Sequence, residues 1–288
     1  MCCYSTVIDF AFAGLVGFFI FAGIKRYMRI LRKLFLFSFT IYGFAIFLIW
    51  MLILMPLFLY AFMQESIRGG NIIYRVCRFW ADAFFFMTGI SYYNVGRPTY
   101  KMNEEYIFVS NHISYLDIVM MMKVIRRRNV RILGKVEMTK IPIFGAIYKR
   151  GTVSVDRSSV KNRLKSISEL IEFLHKKISV FICPEGTFNT SHRPLKSFYN
   201  GAFRIAIETQ KPILPVLFLD TYDRLGCETI FSLNPGKCRS VFLEPTATTG
   251  LSLHDLPELK KKIFQQMEKS LIEYNATWIN KKYLVERS

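Results

Sequence analysis

The run Ser110-Asn111-His112-Ile113-Ser114-Tyr115-Leu116-Asp117 holds residue types that can move a proton. His112 carries an imidazole, whose charge changes near neutral pH, and Asp117 carries a carboxylate five positions on. A carboxylate on one ring nitrogen fixes the tautomer, presents the other nitrogen as a base, and stabilises the imidazolium formed on proton uptake. On one continuous helix the two side chains would lie about 140° apart, so contact requires a turn between them. The flanks supply one. Tyr106-Ile107-Phe108-Val109 reads as a buried strand, and Ile118-Val119-Met120-Met121-Met122 as the buried part of a helix. His112 then leaves a strand end and Asp117 sits in the first helical turn, where open α/β sheets gather their ligands. A second reading competes: Ser114-Tyr115-Leu116-Asp117 matches a capping box with Asp in the Glu/Gln position, so that Asp117 simply caps a helix.

Two later blocks carry further polar chemistry. Lys135-Val136-Glu137 and Ile141-Pro142-Ile143-Phe144-Gly145 precede Arg150-Gly151-Thr152-Val153-Ser154-Val155-Asp156-Arg157. Arg150 and Arg157 can each give bidentate hydrogen bonds to a phosphate, and Gly151 lets backbone approach closely. The alternative for Asp156-Arg157 is a turn with ordinary surface pairing. Further on, the apolar run Val180-Phe181-Ile182-Cys183 enters Pro184-Glu185-Gly186-Thr187. Gly186 permits the turn, while Glu185 and Thr187 offer polar groups to a ligand. Residues 158–178 read as an amphipathic helix, Lys211 to Phe218 and Ser240 to Leu243 as strands, and Pro257 to about Asn275 as a charged helix. These elements predict an α/β fold: a mixed sheet flanked by helices, preceded by N-terminal membrane helices.

His112 through Asp117 resembles the His-x-x-x-x-Asp motif of the glycerolipid acyltransferase family, whose best-known members make phosphatidic acid from lysophosphatidic acid. The blocks at 150–157, 184–187 and 211–218 are similar to that family's later motifs and follow in its order. The resemblance covers residues 106–245. It implies transfer of a fatty acyl group from a thioester to the hydroxyl of 1-acyl-glycerol-3-phosphate, with His112 as general base and Asp117 orienting it. It further implies that Arg150, Gly151, Asp156, Arg157, Glu185, Gly186 and Thr187 hold the acceptor. No metal or bound cofactor is expected; the co-substrate is acyl-CoA or an acidic acyl-carrier protein. The sequence departs from the family at Ser154, where an aromatic is common. It departs again at Phe188-Asn189, where many members carry Arg-Ser, and Arg193 is the candidate substitute there. The same chemistry on a lyso-aminolipid or glycerol 3-phosphate, and a non-catalytic lipid-binding protein on this fold, are the alternatives.

Bulk properties point to a membrane. The 288 residues are 52% hydrophobic with a formal net charge of +18, and the mean hydropathy is +0.25. A chain both apolar and basic suits anionic lipid. No zinc spacing or RNA-binding aromatic motif accompanies the charge, so nucleic acid is not an expected partner. None of the six cysteines forms a Cys-x-x-Cys pair, which fits a reduced, cytosolic catalytic part. Residues 10–24 carry no charge but span only about 22 Å as a helix. A basic stretch from Lys25 to Lys33 follows, then thirty uncharged residues from Leu34 to Met63, with Gly43 and Pro56 as candidate kinks. Residues 1–65 are therefore read as N-terminal membrane attachment, 66–100 as an interfacial helix and linker, and 101–288 as the catalytic domain. The family resemblance places that domain on the cytosolic face. Lys123 to Lys165 holds thirteen Lys/Arg against two acidic residues, a face suited to headgroups or the phosphates of coenzyme A.

Overall fold

The computed structural model describes residues 3–280 apart from 97–99, 102, 127 and 157–158, and side chains from Gly23 onward apart from Val160. The chain begins with α1 (Cys3–Ile53), α2 (Met55–Phe62) and α3 (Ser66–Met87). There follow β1 (Ile90–Val95), β2 (Ile107–Val109), α4 (Asp117–Val124), β3 (Val130–Lys135), α5 (Phe144–Gly151), β4 (Thr152–Val155) and α6 (Val160–His175). The remainder comprises β5 (Ser179–Ile182), α7 (Gly201–Thr209), β6 (Ile213–Phe218), α8 (Thr221–Arg224), β7 (Gly236–Phe242) and α9 (Leu256–Glu273).

The strands form one seven-stranded sheet in the order β1-β7-β6-β2-β5-β3-β4. β2 to β6 run parallel to one another, and β7 pairs antiparallel with β6. The sheet is covered on both faces, which is why β2, β5 and β6 read as continuous apolar runs rather than alternating ones. The pleat still divides them. Ile107, Val109, Val180 and Ile182 pack toward α6, α7 and α9, while Phe108, Phe181 and Phe218 pack toward α3 and α4. These three phenylalanines are fully buried, each contributing about 1.5–3 kcal/mol of transfer free energy.

Two expectations at the amino end change. The two apolar runs and the basic stretch between them form one continuous helix, α1, rather than a pair. The helix continues unbroken through Gly43, where a Cβ would stand 2.1 Å from Leu233 Cδ2, so the glycine makes room for a residue 190 positions on. The break falls at Leu54, and Pro56 sits in the first turn of α2, where its missing N–H costs nothing. Gly23–Ile53 is long and apolar enough to cross a membrane, and only 17% of its most apolar window is buried against the protein. The stretch read as linker also contributes β1, which pairs in parallel with β7 at the sheet edge. α3 packs Tyr74, Phe84 and Phe85 onto the domain and leaves Phe79 and Phe86 exposed. The expected turn at Arg97-Pro98 lies outside the described residues.

One side chain ties the central strands together beyond their backbone ladder. Asn111, just past β2, is buried; its amide donates to Phe218 O at 3.0 Å and accepts from Phe218 N at 2.9 Å. Asn111→Ala strands two buried backbone groups, at about 1–3 kcal/mol each. The melting temperature should fall by about 5–10 °C. An unchanged melting curve in the purified variant would show that the clamp is dispensable.

Candidate active site

The parallel strands β2 and β5 are neighbours, so the segments leaving their carboxyl ends emerge side by side. One carries His112, the other Glu185. Asp117 opens α4 and is fully buried. Its Oδ2 lies 2.9 Å from His112 Nδ1 and accepts from Ile113 N at 2.7 Å and Ser114 N at 2.9 Å. Its Oδ1 accepts from Thr221 Oγ1 at 2.7 Å. The carboxylate holds the imidazole and accepts the Ser114 N–H, but the expected capping box does not form: α4 starts at Asp117 itself, and its N-cap is Leu116, with no side-chain cap hydrogen bond. Because its other neighbours all donate to it, we assign the His112 proton to Nδ1. Nε2 is then left with its lone pair, on a side chain 18% exposed.

Ser114 holds the turn from the other side. Its Oγ donates to Leu225 O at 2.6 Å and accepts from Leu116 N at 3.0 Å. Thr221 and Leu225 come from the segment after β6, and Thr221 lies 104 residues from Asp117 in sequence. No spacing rule reaches that far, so Thr221 escapes sequence reading.

Glu185 is buried in the turn after β5. Oε1 accepts from His112 N at 2.9 Å and Oε2 from Lys196 N at 2.8 Å. It thus fixes the backbone at His112 rather than facing solvent. Gly186 has φ of 73°, a left-handed conformation that favours glycine. Thr187 Oγ1 accepts from Lys196 Nζ at 2.8 Å. Asn189 N donates to His112 O at 2.8 Å, closing the turn onto His112. Between them, the Phe188 ring lies 4.3 Å from the His112 ring and 4.8 Å from that of Tyr115, centroid to centroid.

His112, Asp117, Glu185, Gly186 and Thr187 therefore share one site. Arg150 and Gly151 stand elsewhere. They end α5, at the amino end of β4, whereas His112 follows a carboxyl end of the same parallel array. The Arg150 guanidinium donates to Gln64 O just beyond α2, a favourable place for a cation. Gly151 packs under Ile73. Asp156 follows β4, three strands or about 14 Å from β2 by strand spacing. It accepts from Asn162 Nδ2 at 2.8 Å, bracing the start of α6. Arg157 and Arg127 lie outside the described residues. Among the described residues no cluster of three or more His, Cys, Asp or Glu side chains is arranged to hold a metal ion.

Burial pushes the Glu185 carboxyl from its ordinary 4.5 up to about 8, against the pull of the Lys196 and His112 N–H groups and with a further push from Asp117. Between those values the folded state keeps a proton that the unfolded chain releases. Stability carried by this group is therefore full at low pH, falls as pH rises through the window, and levels off above it. The melting-temperature gap between wild type and Glu185→Ala should shrink from about pH 5 to about pH 8. A gap that widens over that range would reverse the assignment.

A family model described as Acyltransferase matches residues 92–219. The human 1-acyl-sn-glycerol-3-phosphate acyltransferase alpha is 29% identical over 205 residues, 70% of this chain and 71% of that protein. The 1-acyl-sn-glycerol-3-phosphate acyltransferase of Haemophilus influenzae is 28% identical over 169 residues, 58% of this chain and 68% of that protein. The crystal structure of the 1-acyl-sn-glycerophosphate acyltransferase from Thermotoga maritima superposes with a TM-score of 0.71 at 22% identity, covering 86% of this chain and all of that one. The matched span contains the sheet ends that bear His112, Asp117 and Glu185, so residues 92–219 form an acyltransferase domain similar to those of the 1-acyl-sn-glycerol-3-phosphate acyltransferases.

Proposed function

We propose that this protein is a membrane-bound O-acyltransferase that moves a fatty acyl group from an acyl thioester to 1-acyl-glycerol-3-phosphate, giving phosphatidic acid for phospholipid synthesis. The observation that carries the chemistry is the pairing of His112 with a buried, four-donor Asp117 at the end of β2. The names of the relatives support the acceptor. Acyl-CoA or an acidic acyl-carrier protein is the donor, and the basic span from Lys123 to Lys165 suits either. The apolar, largely uncovered stretch of α1 supports attachment to a bilayer, with the catalytic part on the cytosolic face where such thioesters are made.

In this mechanism His112 Nε2 takes the proton of the acceptor hydroxyl as its oxygen attacks the thioester carbonyl carbon. The new C–O bond forms a tetrahedral intermediate. The C–S bond then breaks, and the imidazolium returns its proton to the departing thiolate. Asp117 stabilises the imidazolium between the two transfers and is not itself protonated. No side chain becomes acylated, so a protein nucleophile is unnecessary. Glu185 acts through backbone, holding His112 N while the ring stays free to move protons.

The test is acyl transfer by the full chain purified in detergent, with a panel of lyso-lipids and both thioester donors. Product from 1-acyl-glycerol-3-phosphate is expected from wild type. His112→Ala should lower turnover by about 10²- to 10⁴-fold without releasing the protein from membranes. Asp117→Asn should cost on the order of 10²-fold or more, because an amide cannot stabilise the imidazolium. An unchanged rate in folded His112→Ala protein removes His112 from the mechanism. Lipid binding without turnover of any donor-acceptor pair would make the chain a lipid-binding member of the fold.

A further inference from the structure

The residue directly behind Pro184-Glu185-Gly186-Thr187, in the turn after β5, carries no charge. Phe188 occupies that position and spends its ring on His112 and Tyr115. An ammonium arrives instead from further along the chain. Lys196 Nζ donates to Thr187 Oγ1 at 2.8 Å and to Phe188 O at 3.4 Å, and the side chain is only half-buried. Arg193, the sequence candidate for this role, contributes its carbonyl to Asn189 Nδ2 and Trp278 Nε1.

Three features of Lys196 go beyond a structural hydrogen bond. Its backbone N–H is anchored on the same buried carboxyl that anchors the backbone of His112, so Glu185 sets ammonium and base relative to one another. Its two oxygen partners are neutral, and the ion pairs found among the described residues do not include it. An ammonium has three N–H donors, and Thr187 and Phe188 take two, so one remains for an incoming anion. A charged group beside an active base with only neutral ligands is a site prepared for an oxyanion.

We propose that Lys196 binds the phosphate of the acceptor lipid next to His112. This inference rests on the acyl-transfer reading above. In 1-acyl-glycerol-3-phosphate the reacting hydroxyl and the phosphate are separated by two carbons and an ester oxygen. A cation that grips the phosphate while His112 holds the hydroxyl must therefore stand about one side chain from the base. Lys196, touching the backbone of the residue whose ring covers His112, meets that requirement. The phosphates of coenzyme A lie a long pantetheine arm away from the thioester carbon and do not.

The experiment compares wild type with Lys196→Ala and Lys196→Arg as full-length protein in nanodiscs, after melting curves confirm that each is folded. Lys196→Ala should raise KM for 1-acyl-glycerol-3-phosphate by about 10- to 100-fold, the scale of one charge-assisted hydrogen bond. Its kcat and its KM for acyl-CoA should stay within about threefold, and Lys196→Arg should recover most of the loss. Equilibrium binding of 1-acyl-glycerol-3-phosphate, read in a His112→Ala background that does not turn over, should weaken by the same factor. That binding arm separates the two ideas: a chain without transferase activity whose lysophosphatidate binding still depends on Lys196 sinks the reaction but keeps the phosphate site. Unchanged acceptor KM and binding, a KM rise confined to acyl-CoA, or a loss of kcat at constant KM each overturn the proposal.

Discussion

A carboxylate removed from water is costly unless its oxygens are met by donors. Asp117 is fully buried and meets that demand with the ring of His112, the backbone of Ile113 and Ser114, and the hydroxyl of Thr221. Much of the site follows from this. The two backbone donors force the chain to curl tightly between β2 and α4, and that curl aims the His112 side chain back at its own helix. The Thr221 hydroxyl requires the segment after β6 to close over the turn, which the Ser114 to Leu225 hydrogen bond reinforces. The Asn111 clamp on Phe218 holds β6 in the register that delivers Thr221.

Glu185 plays the corresponding role on the β5 side, with a different outcome. Its partners are two backbone N–H groups rather than side chains that could titrate with it. It ties the segment bearing His112 to the loop bearing Lys196. The shift of its carboxyl to about 8 reflects burial that two neutral donors do not fully offset. Two buried carboxyls at neighbouring strand ends thus serve different purposes: one orients an imidazole, the other fixes main chain.

The apolar amino end joins this domain through packing more than through polar contacts. Gly43 receives Leu233, the Leu233 N–H donates to Thr40, and Phe37 meets the Phe231 ring. α1 is therefore seated on the loop between β6 and β7, not only on α3. That loop also carries Thr221 and Leu225, so the contacts of the long helix and those of the His112–Asp117 turn lie on one connecting segment.

The sequence alone was sufficient for the features that depend on short spacing. The strand-turn-helix around His112, the Pro-Glu-Gly-Thr turn, the apolar strands and the helix after Asp156 are local patterns, and each occurs where periodicity and turn residues place it. The shared site of His112, Asp117 and Glu185 was legible because all three sit at strand ends. What the tertiary structure decided are the relations between distant segments. Arg150 looks like a phosphate ligand in a basic run, yet β4 runs parallel to β2, so a residue before β4 emerges at the opposite end of the sheet. Thr221 and Lys196 carry no motif; their roles come from the strand order β6-β2-β5, which closes loops that no local spacing could bring together. The single long α1 was hidden for the converse reason. A basic interruption divides a hydropathy profile without costing a helix any backbone hydrogen bonds, so chemical boundaries in the sequence were not boundaries in the fold.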